Sequence, residues 1–276
     1  MFVDLILIEK KQNLIKILQD IDNVLVAFSG GVDSTFLLAI AKEALGDKVL
    51  SITAASETFP DREFQLAKSL AAELQVQHIE TRVNELADAE FVKNDSNRCF
   101  HCKNGLYNHL LELVTEYGDR YTIVDGSIMD DLGEHRPGMQ AARALGVRSP
   151  LQEANFYKEE IRTLSKEMGL RTWNKPSFAC LSSRIPYGTE ITKEKINQLD
   201  LAEDFLLGLG LYQVRVRHHD KIARIEVDQE DMKKVIDQHE KIVHALKSFG
   251  FSYVTLDLQG YRSGSMNEVL KEKASI

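Results

Sequence analysis

Residues 24–28, Val-Leu-Val-Ala-Phe, form an unbroken apolar run between Asp22-Asn23 and Ser29-Gly30. A short run of this kind, bounded by turn formers, predicts a strand buried on both faces. Phe36, Leu37, Leu38, Ile40 and Ala41 follow at helical spacing and predict a helix over 34–45, with Asp33 and Ser34 as cap candidates. The same alternation continues. Strands are predicted at 48–54, 76–81, 121–125 and 147–151. Helices are predicted at 5–21, at 61–74 (apolar Phe64, Ala67, Leu70, Ala71 and Leu74), at 103–117 and at 157–168, the last closed by Gly169. Strands alternating with helices over short links predict an α/β fold with a doubly wound, mostly parallel sheet. Near residue 189 the pattern changes. A helix over 191–207 precedes an alternating strand, 211–219, which places Gln213, Arg215, Arg217 and His219 on one face. A hairpin partner at 222–227, a helical stretch at 231–249 and a strand at 253–258 complete a smaller α+β unit. The predicted domains are therefore 1–188 and 189–276.

Charge and composition narrow the function classes. The 276 residues are 43% hydrophobic and 28% charged, enough for a substantial core in a globular protein. The net charge of −8 argues against extended nucleic-acid binding, which needs a basic face. The longest apolar runs reach six residues, far short of a membrane span. The N-terminus lacks the basic segment and cleavage site of a signal peptide. With only three cysteines, Cys99, Cys102 and Cys180, the chain is expected in the reducing cytoplasm.

The first strand runs into Ser29-Gly30-Gly31-Val32-Asp33-Ser34-Thr35. Glycines let backbone approach a bulky anion, and a helix N-terminus offers unpaired N–H groups and partial positive charge. Ser29, Ser34 and Thr35 add hydroxyls. No lysine follows the glycines, so the loop is not a Walker A motif and suits a pyrophosphate leaving group better than γ-phosphoryl transfer. This stretch resembles the PP-loop of N-type ATP pyrophosphatases, whose fold is adenine nucleotide alpha hydrolase-like. The resemblance implies cleavage of ATP between its α- and β-phosphates. Ligands of open parallel sheets sit beyond the carboxyl ends of the strands. Ala54 and Ser56 are there, as adenine and ribose neighbours, with a plain helix cap as the alternative for Ser56.

Three further stretches carry candidate chemistry. Cys99-Phe-His-Cys102 puts two thiols within reach of one metal or one disulfide; Arg98 and Lys103 favour thiolates, and two buried cysteines are the plain alternative. Residues 126–138 follow a predicted strand with Asp130, Asp131, Glu134 and Arg136. Their carboxylates suit Mg2+, and Arg136 suits a carboxylate or a phosphate; a solvated acidic loop is the alternative. Residues 173–188 are too irregular for an element and too apolar for a linker, and Cys180 lies there between Lys175 and Arg184. Arg215 and Arg217, two apart on a strand, can grip a phosphate or carboxylates, or can face solvent at a sheet edge. Arg262 in the tail is another anion candidate.

The PP-loop, Gly126-Ser127…Asp130-Asp131…Arg136-Pro137-Gly138, Cys180-Leu-Ser-Ser-Arg184, Arg215/Arg217 and Gly260-Tyr-Arg-Ser-Gly-Ser-Met-Asn267 occur in this order over nearly the whole chain. Together they resemble the LarE family of ATP-dependent sulfur transferases, which make the nickel-pincer nucleotide cofactor. The resemblance implies adenylylation of a carboxylate of pyridinium-3,5-biscarboxylic acid mononucleotide, with Mg2+, and displacement of AMP by sulfur. It implies ATP contacts from Ser29, Gly30, Gly31, Asp33, Ser34, Thr35, Ala54, Ser56, Gly126 and Ser127, with Asp130 as a Mg2+ ligand. It implies substrate contacts from Lys103, Asp131, Glu134, Arg136, Ser183, Arg184, Arg215 and Arg217, and a homo-oligomer such as a hexamer. Family members with one cysteine use the equivalent of Cys180 as a sacrificial sulfur donor. This chain adds Cys99 and Cys102, which with Cys180 match the ligand count of a catalytic [4Fe–4S] cluster. A tRNA thiolase, an ammonia-using synthetase and a non-catalytic ATP-binding protein are the competing readings.

Overall fold

The computed structural model describes residues 2–117, 120–133, 137–262 and 264–267. In chain order the main elements are α1 (Phe2–Ile21), β1 (Val24–Ala27), α2 (Val32–Leu45), β2 (Val49–Ala55), α3 (Asp61–Glu73), β3 (Gln77–Arg82), α4 (Ala89–Val92), α5 (Arg98–Glu116) and β4 (Thr122–Val124). Then come α6 (Pro137–Ala144), α7 (Pro150–Glu153), α8 (Lys158–Glu167), α9 (Lys193–Gly208), β5 (Val214–His219), β6 (Ile222–Val227), α10 (Gln229–Asp237), α11 (His239–Ser248) and β7 (Tyr253–Leu256). Among the described residues no helix is long and apolar enough to cross a membrane.

The chain divides into two units, residues 1–83 with 99–177, and residues 84–98 with 178–276. The first is the expected α/β unit. Its four strands are all parallel, in the order β3-β2-β1-β4. Alternation along β1 splits the core in two. Val24 and Val26 join Leu14 and Leu18 of α1, Phe36 and Ile40 of α2, Ala67 and Leu70 of α3, and Ile161 of α8. Leu25 faces the other way, with Leu50, Ile52 and Ile123, against Tyr107, Leu110 and Val114 of α5. Helices on both faces make the sheet doubly wound. Helix α2 is buried without a break from Ser34 to Ala41, as its nearly all-apolar sequence requires.

Three local expectations need correction. Residues 147–151 do not form a strand. Arg148 makes a single parallel bridge to Val124, and Pro150, which has no N–H to give a ladder, opens α7 instead. The residue capping α2 is Gly31, without a side-chain cap bond, so Asp33 and Ser34 stand inside the first turn. Helix α5 begins at Arg98, five residues ahead of the predicted start, and takes in the whole Cys-x-x-Cys pair.

The second unit holds a three-stranded sheet, β5-β6-β7. Strands β5 and β6 are antiparallel across a tight turn with Asp220 at φ 52°, and β7 runs parallel to β6. Helix α9 packs on β5. Residues 84–98 belong here rather than to the α/β unit, for a specific reason. Asn94, fully buried at φ 57°, donates from its side-chain amide to the carbonyls of Pro186 and Thr189 (both 2.8 Å) and Ile185 (3.3 Å). Its Oδ1 accepts from Arg98 Nη1 at 2.6 Å, and the same nitrogen reaches the Ser182 carbonyl at 3.1 Å. Arg98 is therefore a buried clamp that stacks on Tyr187. An Asn94→Ala substitution orphans three carbonyls and the clamp, and should destabilise the protein by about 2–4 kcal/mol. Thermal unfolding would measure the loss, with the 84–98 segment becoming protease-sensitive first.

Candidate functional site

The phosphate-cradle candidate lies at the carboxyl ends of β1 and β2. The last residue of the apolar run is pinned by two bonds: Phe28 N–H donates to Ile52 O at 2.8 Å, and Thr53 Oγ1 donates to Phe28 O at 2.6 Å. The chain then turns through Gly30, at φ 67°, where a Cβ would stand 3.1 Å from Ala67 Cα. Ser29 Oγ lies 3.1 Å from Ser34 Oγ and accepts from Gly31 N–H at 3.4 Å, so these groups converge on one small space. Gly126 closes the far side. A Cβ there would meet Ser34 N at 3.0 Å, so glycine alone lets the end of β4 press against the loop.

Beyond β4, Asp125 organises the turn. It accepts from Ser127 N–H (3.1 Å), Ser149 Oγ (2.8 Å) and the buried Tyr107 hydroxyl (3.1 Å), and burial raises the pKa of that phenol. Asp130 accepts Lys158 N–H at 2.9 Å, and Asp131 accepts Ile128 N–H at 2.9 Å; both shape the loop. Asp33 pairs with Lys158. Burial raises the Asp33 pKa from its ordinary 3.8, against the pull of Lys158. One Asp33 oxygen, Oδ1, and the hydroxyl of Thr35 are buried with no hydrogen-bond partner. The unsatisfied Asp33 Oδ1, two residues from Gly31, is an oxygen that a Mg2+–phosphate group would complete. Ala54 and Ser56 are half-buried at the end of β2. Glu134 and Arg136 lie outside the described residues. Cys99 and Cys102 fall one turn apart at the start of α5, both partly exposed, with Gly138 against the Cys99 carbonyl and the Lys103 stem.

Arg184, Arg215 and Arg217 lie in the second unit. They are buried, contrary to a solvent-facing edge. Arg184 is fully buried and forks onto Glu203, Nε to Oε1 and Nη2 to Oε2, each at 2.9 Å. Its Nη1 donates to Ser183 Oγ (2.8 Å) and to the carbonyls of Ala179 (2.8 Å) and Cys180 (3.1 Å). Arg184 thus builds the 179–184 turn rather than presenting a free fork to substrate. Cys180 Sγ stands 3.0 Å from Ser182 Oγ in the same turn. Arg217 pairs with Glu226 (2.7 and 3.0 Å) and donates to Ser183 O (3.2 Å) and Ser265 Oγ (2.9 Å). Arg215 stacks over Tyr261; burial first, then the Arg184 cation, pushes its pKa down to about 10. The sequence reading missed Glu203, Glu226 and Ser265. Its one available signal was Glu203, an acid within the apolar stripe Ile196, Leu199, Ala202 and Leu206.

Among the described residues no three His, Cys, Asp or Glu side chains are grouped to hold a metal. Cys99 and Cys102 lie in the first unit and Cys180 in the second.

Burial disfavours charge on Glu203, but Arg184 outweighs it and holds the carboxyl below its ordinary 4.5. The lowered folded-state value means that this pair stabilises fully above pH 4.5 and fades as pH falls through the folded value. Glu203→Gln should cost about 3–5 kcal/mol at pH 7. The penalty should shrink in acid, as Tm measured from pH 7 to pH 3 would reveal.

Residues 18–94 match the asparagine synthase family. An uncharacterized protein of Synechocystis sp. is 41% identical over 95% of this chain and 98% of its own length. An uncharacterized protein of Methanocaldococcus jannaschii is 29% identical over 93% of this chain and 97% of its own. The pyridinium-3,5-bisthiocarboxylic acid mononucleotide synthase of Lactiplantibacillus plantarum is 42% identical over 95% of each chain. With end-to-end similarity at that level, on a parallel sheet whose glycine turn forms a phosphate cradle, this chain belongs to the LarE family of PP-loop proteins.

Proposed function

We propose that this protein is an ATP-dependent sulfur transferase that makes pyridinium-3,5-bisthiocarboxylic acid mononucleotide, the product in the name of its Lactiplantibacillus relative. The cradle of Ser29, Gly30, Gly31 and Ser34, with the unsatisfied Asp33 Oδ1 beside it, carries the reading. A substrate carboxylate oxygen attacks the α-phosphorus of ATP. The bond to the bridging oxygen breaks and pyrophosphate leaves into the cradle. A sulfur nucleophile then adds to the acyl carbon and expels AMP, leaving a thiocarboxylate. Two rounds serve two carboxylates.

Mg2+ would neutralise phosphate charge here. Asp33, whose Oδ1 is buried without a partner, suits it better than the exposed Asp130. Arg215 is the best-suited ligand for the substrate phosphate. It sits among like charges from Arg184 and Arg217, and an added anion relieves that repulsion. Ser183 and Arg184 contribute by shaping the turn that holds Cys180. Exposed Tyr253 (66%) and Leu258 (84%) favour a homo-oligomer through the second unit. Three thiols suit a reducing, cytoplasmic setting.

Cys180 is essential to sulfur delivery in either of two routes. Three cysteines match the ligand count of a [4Fe–4S] cluster, which would carry an added sulfide to the acyl adenylate; Cys180 as a sacrificial donor is the alternative. As a direct donor, the Cys180 thiolate attacks the acyl adenylate and expels AMP to give a thioester. Loss of its Cα proton to a base and rupture of Cβ–S then release the thiocarboxylate and leave dehydroalanine.

With ATP, Mg2+ and the biscarboxylic acid mononucleotide, the protein should release pyrophosphate and AMP; no pyrophosphate release sinks the reading. Cys180→Ala should still release pyrophosphate but form no thiocarboxylate. Full activity of both Cys99→Ala and Cys102→Ala, with dehydroalanine by intact mass, would exclude the cluster. Loss of activity in both, with about four irons per reconstituted chain, would establish it.

A further inference from the structure

The loop that lacks a lysine in its own sequence has one in space. Lys175 Nζ donates to the Gly30 carbonyl at 3.0 Å and to Glu63 Oε2 at 2.6 Å, although 145 residues separate Lys175 from Gly30. This is no loose surface contact, since the two charged side chains are only 14% and 13% exposed. The lysine is anchored from both directions. Arg162 holds the backbone around it, Nη1 to Trp173 O at 2.9 Å and Nη2 to Lys175 O at 3.1 Å. Lys166 stacks on Trp173 at 4.6 Å. Glu63 stands in the first turn of α3, whose Ala67 also presses on Gly30.

The contact bears on the cradle through peptide geometry. The Gly30–Gly31 peptide is a rigid plane, so its carbonyl and its N–H point in opposite directions. Two glycines in succession leave that plane free to rotate at little steric cost. A cradle that relies on Gly31 N–H therefore needs something to stop the plane from turning. Lys175 takes hold of the carbonyl from one side, and Gly31 N–H faces the other, toward Ser29 Oγ.

We infer that Lys175 is a positioning residue for ATP: it locks the Gly30–Gly31 peptide so that Gly31 N–H meets the β,γ-pyrophosphate. This rests on the ATP reading above. The effect is confined to the pyrophosphate end of the nucleotide, because the locked N–H lies in the glycine turn and not at the ends of the neighbouring strands.

The test is equilibrium binding to the intact protein with three probes: α,β-methylene-ATP, inorganic pyrophosphate and AMP. Lys175→Met should raise Kd for the first two by about tenfold, the worth of one charge-assisted hydrogen bond, and leave AMP within about twofold. Lys175→Arg should recover most of the loss. Lys175→Gln, which keeps volume without charge, gives the same comparison should the methionine variant not fold. Unchanged affinity for the ATP analogue in a folded variant overturns the assignment. So does an equal loss for AMP, the mark of general structural damage. A wild-type protein that binds neither the ATP analogue nor pyrophosphate overturns the ATP reading itself, and is seen before any variant is made.

Discussion

The α/β unit depends on backbone meeting backbone where side chains cannot fit. At Gly30 a Cβ would crowd Ala67 of α3, and at Gly126 a Cβ would crowd the start of α2. Those approaches draw the ends of β1 and β4 and the N-terminus of α2 to one point. The sheet supplies the rigidity, with β1 central and bonded on both sides by parallel neighbours. The glycines supply the closeness, and the convergence of Ser29, Gly31 and Ser34 follows from the two together. The same packing leaves Asp33 Oδ1 and Thr35 Oγ1 without partners. A fold that buries polar oxygens unsatisfied carries a cost, which a ligand that completes their bonding would offset.

The second unit solves a different problem, that of keeping several cations inside a small α+β core. Arg184 and Arg217 each take a carboxylate, Glu203 and Glu226, so neither is an uncompensated buried charge. Arg224 also reaches Glu226, at 2.9 Å. With Arg215 the arginines outnumber these two carboxylates; burial first, and then the Arg184 cation, depresses the Arg215 value. A densely bonded network with net positive charge favours an anion when a ligand arrives.

Much of this was legible in the sequence because it rests on period and on local chemistry. The apolar run at 24–28, the glycines after it and the helical spacing from Phe36 fix strand, turn and helix without distant information. Doubly wound order follows from alternation alone. What escaped depended on contacts far apart in the chain. Nothing near Asn94 says that its amide caps carbonyls at 185, 186 and 189, so residues 84–98 could not be assigned to the second unit. The alternation of 211–219 placed Arg215 and Arg217 correctly on one face but could not say that the face is buried, because Glu203 and Glu226 arrive from other elements. Residues 147–151 had the composition of a strand, yet Pro150 denies the ladder a donor and starts a helix.

The missing lysine shows the same limit within the site itself. Read along the chain, the loop has no cation; in the fold Lys175 holds Gly30 and Lys158 pairs with Asp33. Each lysine is also bound to a carboxylate, Glu63 in one case and Asp33 in the other. The positive charge behind the cradle is therefore balanced before nucleotide binds, unlike that of an unpaired P-loop lysine aimed at the phosphates. Such a site holds pyrophosphate by N–H groups and hydroxyls more than by net charge. That balance suits a reaction in which pyrophosphate has to leave, and leave again, when two carboxylates of one substrate are activated in turn.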